Sequence, residues 1–186
     1  MHGNEVLGRE LLLGLAVHLC TKYRQGDASV QHLLNNTRLH LLPSMNPDGW
    51  QVAAAALASD GRPNRTSDWL EGRSNGHQVD LNRDFPDLDR MELDASQSEN
   101  PTELPNMLRK SRPLLAAWLA RRPLQPETRA VINWILERPF VLSANLHGGA
   151  LVVNFPYDSN GSPKQAPGYS ATPDDFLFRQ AKYEQK

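Results

Sequence analysis

The sequence predicts an α/β domain, a twisted mixed sheet with helices on both faces. Amphipathic helical segments alternate with short apolar runs along the 186 residues, the order typical of this class. One apolar run ends in a histidine, and ligands of open α/β sheets bind beyond the carboxyl ends of the strands. At about 150 residues per domain, the length corresponds to a single domain.

The first half of the chain predicts a long helix followed by a short strand. Residues 5–24 carry leucines at i, i+4 spacing, which is typical of an amphipathic helix. Cys20, the only cysteine, lies in this apolar stretch, so we expect a buried, unreactive thiol. Residues 39–42 predict a strand, and Asn-Pro-Asp-Gly at 46–49 predicts a turn after it.

The second half predicts a loop, an insertion, two helices and a strand. Residues 59–75 are rich in Gly, Pro and Asn, which indicates a long surface loop. Residues 87–125 form a polar insertion that we expect to carry one helix. Proline at a first helical position predicts a helix over 126–138. Residues 140–147 predict a buried strand with a histidine at its carboxyl end, and 173–186 a polar helix.

Composition and charge exclude several classes of protein. The net charge is −1 and the pI is about 6.6, whereas nucleic-acid-binding domains usually have a pI above about 9. No apolar run reaches the roughly 18 residues that a transmembrane helix needs. A single cysteine excludes an internal disulfide framework and a multi-cysteine zinc site. We therefore expect neither a nucleic-acid partner nor a transmembrane segment.

Three tripeptides match the acceptor pattern for N-glycosylation. They are Asn35-Asn36-Thr37, Asn64-Arg65-Thr66 and Asn160-Gly161-Ser162. The N-terminus has no basic region followed by an apolar core, so the chain has no recognisable signal peptide. Together these features favour a glycosylated parent protein of the secretory pathway or extracellular space.

A His-x-x-Glu pair at the start of the first helix is a candidate half of a metal site. His2 and Glu5 can turn towards one point, and His147, followed by two glycines, is the natural third ligand. Two His and one Glu form a known ligand set for catalytic zinc, with water in the fourth position. Taken alone, such a pair is more often a chance surface pair.

Two arginine-containing segments are candidate anion sites. Arg83 follows Asn82 in Asp-Leu-Asn-Arg at 80–83, and Arg73 lies in Gly-Arg-Ser-Asn at 72–75. A guanidinium group can bind a carboxylate through two parallel hydrogen bonds, and Asn can add a further donor. In isolation, Arg83 is also compatible with a surface ion pair of little energetic value, and Arg73 is more simply interpreted as a solvated charge.

Six motifs follow one another in a distinctive order. They are His-Gly-Asn-Glu (2–5), Asn-Pro-Asp-Gly (46–49), Gly-Arg-Ser-Asn (72–75), Asp-Leu-Asn-Arg-Asp-Phe-Pro (80–86), Glu-Thr-Arg-Ala-Val-Ile (127–132) and Ser-Ala-Asn-Leu-His-Gly-Gly (143–149). In this order the chain resembles the zinc metallocarboxypeptidases, and more narrowly their regulatory branch, which includes carboxypeptidases E, N, M and D. Residues 87–125 match least.

The resemblance implies a metallocarboxypeptidase domain that removes C-terminal residues from peptides or proteins. His2, Glu5 and His147 are then the ligands of one Zn²⁺. Asn82 and Arg83 are expected to bind the free C-terminal carboxylate of the substrate. We expect the protein to be a monomer.

Two further roles follow from the same resemblance. Arg73 is expected to stabilise the oxyanion that forms at the scissile carbonyl. Asp158 follows the third ligand at the place where the Lys- and Arg-removing enzymes carry an acidic residue. It predicts specificity for C-terminal Lys or Arg, although Tyr157-Asp158 is also compatible with a simple turn after a strand.

The sequence departs from the family pattern at both ends, which indicates a truncated domain. Between His147 and Lys186 no glutamate stands in the context of the family's catalytic glutamate, and no strand precedes His2. A general base contributes about 10²–10⁴-fold to a reaction rate, so we expect little or no activity from this polypeptide alone. The alternative is a non-catalytic protein that binds peptide C-termini; an aspartoacylase-like amidohydrolase is disfavoured by the motifs at 46–49 and 80–83.

Overall fold

The computed structural model describes residues 1–60, 70–86, 123–157 and 168–183. The chain divides into two compact units. The first comprises Met1–Phe85 and Leu124–Gly149, and the second comprises Pro86–Pro123 and Ala150–Lys186. Most of the predicted insertion at 87–125, its helix included, lies outside the described residues, as does part of the predicted loop at 59–75.

The described residues form five α-helices and one short 3₁₀ turn. In chain order these are α1 (Val6–Arg24), α2 (Ala28–Asn36), α3 (Pro47–Asp60), the 3₁₀ turn (Leu81–Arg83), α4 (Pro126–Glu137) and α5 (Asp175–Tyr183). The predicted helices at 5–24, 126–138 and 173–186 correspond to α1, α4 and α5 and are confirmed. None of these helices has the length and hydropathy needed to cross a bilayer.

Helix α3 begins where the sequence predicts only a turn. The Asn46 side chain accepts a hydrogen bond from the Gly49 N–H at 2.8 Å, and Pro47 occupies the first helical position. Asn and Pro are favoured in turns, but they are also favoured at helix N-termini for the same physical reasons. The predicted turn is thus the first turn of a 14-residue helix.

The predicted strands are not observed in the described part of the chain. Residues 39–42 and 140–147 are irregular, and no described segment pairs with either of them. The prediction of burial at 140–147 is wrong here, because Val141 and Leu142 are 93% and 72% exposed. A strand is defined by hydrogen bonds to a neighbouring strand, and apolar composition cannot supply that neighbour.

Helix α1 is less buried than its apolar rows predict. Only Gly8 and Leu19 are buried, while Leu7 and Val17 are 62% and 68% exposed. Cys20 is also exposed, so the expectation of a buried thiol is wrong. Periodicity identifies which side chains share a helix face, whereas burial depends on what packs against that face.

An aromatic cluster connects the segment after α2 to helix α4 in the first unit. His40, Trp134 and Phe140 pack edge to face, with ring centroids 5.1–5.6 Å apart. This geometry is the one preferred by aromatic pairs. His40 therefore has a structural role in this unit.

Candidate metal centre

Three side chains from distant parts of the first unit converge on one point. Nδ1 of His2 lies 2.7 Å from Glu5 Oε1, and Nδ1 of His147 lies 2.8 Å from Glu5 Oε2. One ligand atom from each residue lies within 4.8 Å of the other two. Within the described residues this is the one group of three or more His, Cys, Asp or Glu side chains that could hold a metal ion.

The start of α1 positions the first two members. A tight turn places the Glu5 N–H against the His2 carbonyl at 3.3 Å, and α1 begins at the next residue. The three-residue spacing therefore points both side chains to the same side of the chain. The His2 side chain is almost fully buried, with 2% of its surface exposed, whereas that of Glu5 is 17% exposed.

The segment after position 140 supplies the third member. The side chain of His147 is 35% exposed, and the next N–H, that of Gly148, donates to Glu5 Oε2 at 2.8 Å. A Cβ atom at position 148 would lie 3.2 Å from Glu5 Cγ, which is tighter than ordinary van der Waals contact. The glycine thus permits the close approach of this backbone to the Glu5 carboxylate.

Three glycines bring the main chains around the site into direct contact. A Cβ on Gly3 would overlap the backbone of Gly49, and a Cβ on Gly72 would overlap the Gly49 carbonyl. Gly72 also has a φ of 75°, a conformation that favours glycine. The Asn4 N–H donates to the Gly72 carbonyl at 3.1 Å, so the turn before α1 is held against the segment that carries Arg73.

Asp80 holds the far side of the His2 ring. His2 Nε2 lies 3.0 Å from Asp80 Oδ1. Arg73 Nε donates to Asp80 Oδ2 at 3.1 Å, and Arg73 Nη2 forms an ion pair with the same oxygen at 3.1 Å. Carboxylates that accept from the distal nitrogen of a ligating histidine fix its tautomer and ring orientation. Asp80 belongs to the motif at 80–86, and its position two residues before Asn82 was the available sequence signal for this role.

The tautomer of His2 that Asp80 favours places two acceptor atoms, His2 Nδ1 and Glu5 Oε1, opposite each other. If Nε2 carries the proton, Nδ1 presents a lone pair, and Arg73 Nη1 at 3.3 Å is placed to donate to it. A lone pair facing a carboxylate oxygen at 2.7 Å requires a proton or a cation between the two atoms. The donor set therefore fits a bound cation, and imidazole with carboxylate is a set that zinc accepts.

The site stabilises its carboxylates in the charged form. Partial burial alone would raise the pKa of Glu5, but hydrogen bonds from the Gly148 N–H, His2 and His147 outweigh it and lower that pKa. Burial also acts to raise the pKa of Asp80, and it is outweighed by hydrogen bonds from the Asn82 N–H and His2 and by the Arg73 charge. Both side chains are thus negative at neutral pH, as metal binding requires.

Arg73 is also close to Glu5, while Asn82 and Arg83 lie on the 3₁₀ turn that follows Asp80. Arg73 Nη1 lies 3.6 Å from Glu5 Oε1. The Asn82 N–H donates to Asp80 Oδ1 at 2.9 Å. Arg83 is exposed, and among the described residues its guanidinium contacts only the Asn82 carbonyl, at 3.4 Å. Asp158, the predicted specificity residue, lies outside the described residues.

Asn75 fixes the turn between Arg73 and Asp80. Its buried side chain accepts hydrogen bonds from the His77 and Val79 N–H groups at 3.1 and 3.0 Å. Its amide nitrogen donates to Gln125 Oε1 at 2.8 Å and to the Glu127 carboxylate at 3.2 Å. The turn is thereby fastened to the start of α4.

Comparison with known proteins identifies the family. The family model for zinc carboxypeptidases, peptidase family M14, matches residues 1–185. The chain belongs to this family. Zinc carboxypeptidases have an α/β fold in general, which agrees with the predicted class. The described residues carry helices and no strand, so the twisted mixed sheet stays a prediction. No solved structure matches the chain.

Curated zinc carboxypeptidases from several animals are similar to the chain over 96% of its length. It is 48% identical to the carboxypeptidase N catalytic chain of Rattus norvegicus over 184 residues. It is 46% identical to carboxypeptidase E of Caenorhabditis elegans over 180 residues and 42% identical to carboxypeptidase Z of Mus musculus over 181. The chain spans 37%, 35% and 25% of these relatives, respectively.

Proposed function

We propose that the chain is part of a zinc-dependent carboxypeptidase in which His2, Glu5 and His147 hold one Zn²⁺. The observation that carries this proposal is the convergence of their ligand atoms within 4.8 Å, from positions more than 140 residues apart. The hydrogen bond between His2 and Asp80 supports it further, because ligating histidines nearly always have such a partner. Zinc, when bound, polarises the scissile carbonyl and lowers the pKa of water.

Arg73 is proposed to stabilise the negative charge that develops on the carbonyl oxygen of the substrate. Its guanidinium lies beside Glu5 and is held by a hydrogen bond and an ion pair to Asp80, so its orientation is set before substrate binds. Pre-oriented donors of this kind stabilise a developing oxyanion without reorganising during the reaction. Removing one typically costs about 10²–10³-fold in kcat.

Asn82 and Arg83 are proposed to bind the C-terminal carboxylate of the substrate. The Arg83 side chain is exposed, its guanidinium donates to the Asn82 carbonyl at 3.4 Å, and it meets no carboxylate among the described residues. The 3₁₀ turn connects both residues directly to Asp80, and therefore to His2. A carboxylate anchor beside the metal explains why such a site would act on chain ends rather than on internal bonds.

The substrate specificity and the cellular compartment are part of the same proposal. We infer that the substrates are peptides or proteins ending in Lys or Arg, with Asp158 meeting the basic side chain. The three acceptor sequences for N-glycosylation support a parent protein of the secretory pathway or extracellular space. Peptidase activity on such substrates is part of this proposal.

Metal content tests the assignment of the ligands. The purified chain is dialysed against Zn²⁺ at low micromolar concentration, and bound zinc is measured by mass spectrometry for the wild type, His147→Ala and His77→Ala. We expect one equivalent in the wild type and in His77→Ala, whose exposed imidazole lies outside the cluster, and loss in His147→Ala. Equal zinc in all three proteins would overturn the ligand set.

Peptide turnover tests the reaction. The protein that contains this chain is given a labelled peptide ending in Arg and the same peptide with an amidated C-terminus. Release of arginine from the free acid alone supports the carboxypeptidase. Zinc binding and peptide binding without turnover would instead favour the non-catalytic binding protein.

A further inference from the structure

The end of helix α2 presents an acceptor sequence for N-linked glycan on an exposed surface. Asn35, Asn36 and Thr37 are all exposed. Asn35 lies in the last turn of α2, and Thr37 follows it with an extended backbone, φ −132° and ψ 133°. The other two acceptor sequences of the chain fall outside the described residues, so the geometry can be assessed at this position only.

The two neighbouring asparagines use their side chains in opposite ways. The Tyr23 hydroxyl donates to Asn35 Oδ1 at 3.0 Å, and Asn35 Nδ2 makes no hydrogen bond to another residue that the structure describes. Asn36 Nδ2, in contrast, donates to the His32 carbonyl at 2.8 Å and lies 3.4 Å from His32 Nδ1. Only Asn35 thus combines an accessible amide nitrogen with Thr two residues later.

Glycosylation would preserve the contact that Asn35 already makes. An N-linked sugar is attached to Nδ2, and the amide oxygen remains an acceptor after the reaction. The Tyr23 hydroxyl can therefore stay bonded to Oδ1 while the sugar extends from the other side of the amide group. The folded chain needs no rearrangement to carry a glycan at this position.

We propose that Asn35 is an N-glycosylation site of this protein. The co-reactant is an oligosaccharide linked to a lipid diphosphate. A bond forms between Asn35 Nδ2 and the anomeric carbon of the sugar, the bond from that carbon to the diphosphate oxygen breaks, and the proton that Nδ2 loses is taken up by the departing diphosphate. The lipid diphosphate leaves. This proposal requires the secretory pathway, but it does not depend on zinc or on peptidase activity.

The position also gives the glycan a physical effect. Leu33 and Leu39 flank the acceptor sequence and are 43% and 45% exposed. A bulky hydrophilic group between them would shield this apolar surface from contact with other molecules. We expect the glycan to increase the solubility of the chain.

The test uses the full 186-residue chain, fused to a cleavable secretory leader and expressed in animal cells. Asn64→Gln and Asn160→Gln are introduced together, so that Asn35 is the one acceptor left. We expect one glycan that is removed by an N-glycanase, leaving aspartate at position 35 in the peptide mass spectrum. Absence of this glycan in the Asn64→Gln, Asn160→Gln protein would overturn the proposal.

Matched variants in the same background separate the site from its neighbours. Asn35→Gln and Thr37→Val should lose the glycan, whereas Asn36→Gln should retain it because Asn36 is not the acceptor. Thr37→Ser should also retain it, since serine satisfies the acceptor pattern. A glycan that persists in Asn35→Gln, or one lost in Asn36→Gln but kept in Thr37→Val, would contradict the assignment.

Discussion

His2 Nε2 lies 3.0 Å from Asp80 Oδ1, although 78 residues separate them along the chain. The hydrogen bond orients the imidazole so that its other nitrogen faces Glu5. Asp80 in turn is held by the Arg73 guanidinium. The proposed ligand, its orienting carboxylate and the proposed oxyanion-binding arginine are therefore one connected unit.

Loss of the orienting carboxylate is expected to weaken zinc binding without removing a ligand. For Asp80→Asn, we expect a fall in zinc affinity of about 10–100-fold, the usual effect of altering such a partner. Competition with a chromophoric chelator measures it. Asp48→Asn, an equal charge change at an exposed position, is the control. Unchanged affinity in Asp80→Asn would show that the carboxylate has no orienting role.

The direct backbone contact at Gly3 predicts a strong effect of one methyl group. A Cβ there would overlap Gly49, so Gly3→Ala should lower the free energy of unfolding by about 1–3 kcal/mol and reduce bound zinc. Gly14→Ala is the matched control, because nothing lies within 4 Å of its Cβ and alanine favours a helix interior. For Gly14→Ala, the free energy of unfolding should rise by about 0.5–1 kcal/mol. Urea titrations measure both, and equal stabilities would contradict the contact.

Asn75 is predicted to be a structural anchor. Asn75→Ala leaves the His77 and Val79 N–H groups and the Glu127 carboxylate without their partner. We expect a loss of about 1–3 kcal/mol in the free energy of unfolding, the cost of buried polar groups left unsatisfied. Asn36→Ala, at an exposed helical position, should change it by less than about 0.5 kcal/mol. Similar losses in both variants would argue against the anchor.

Arg83 is predicted to recognise the substrate carboxylate. In the protein that contains this chain, Arg83→Ala should lower kcat/KM by about 10–100-fold, since a hydrogen bond to a charged group is worth about 1.5–3 kcal/mol. Arg83→Lys should recover part of this loss, because an ammonium group keeps the charge but not the paired geometry. Steady-state kinetics on a peptide ending in Arg provide the measurement. A kcat/KM that Arg83→Ala leaves intact would exclude the role.

Asp175, in the second unit, is predicted to make the stability of this unit depend on pH. Hydrogen bonds from the Tyr169 hydroxyl and the Arg179 guanidinium lower the pKa of Asp175, in the first turn of α5. Because the folded pKa lies below the unfolded value, the stabilisation is present above the unfolded pKa of about 3.8 and is lost as the pH falls through the folded pKa. Carboxyl chemical shifts measured against pH should show this lowered pKa. It should rise in Tyr169→Phe and in Arg179→Ala; a pKa unmoved in both would refute the contacts.

Local sequence signals predicted the helices better than they predicted burial. Pro126 marked the start of α4 because a proline at the first helical position loses no hydrogen bond. The same logic applied to Pro47, but the Asn-Pro-Asp-Gly sequence favours a turn as well, and α3 was missed. The exposure of Cys20 and Val141 could not be predicted, because it depends on which elements pack against them.

The candidate site could be predicted in part from local signals and in full from the order of its motifs. Spacing places His2 beside Glu5, and a histidine at the end of an apolar run followed by two glycines marks His147 as a candidate, but its contact with Glu5 spans 142 residues. The partnership of Asp80 with His2 requires a chain reversal whose geometry depends on glycine contacts far apart in sequence. Such contacts carry no periodic signal.

The glycine contacts have a consequence for how the protein can vary in evolution. Where Gly3, Gly49 and Gly72 meet, the main chains touch directly, so no change of rotamer can absorb a displacement between them. Substitutions of the surrounding apolar residues are therefore expected to change the spacing between the start of α1 and the Arg73 turn very little. Substitutions elsewhere in this unit can alter its stability while the distance from His2 to Asp80 stays the same.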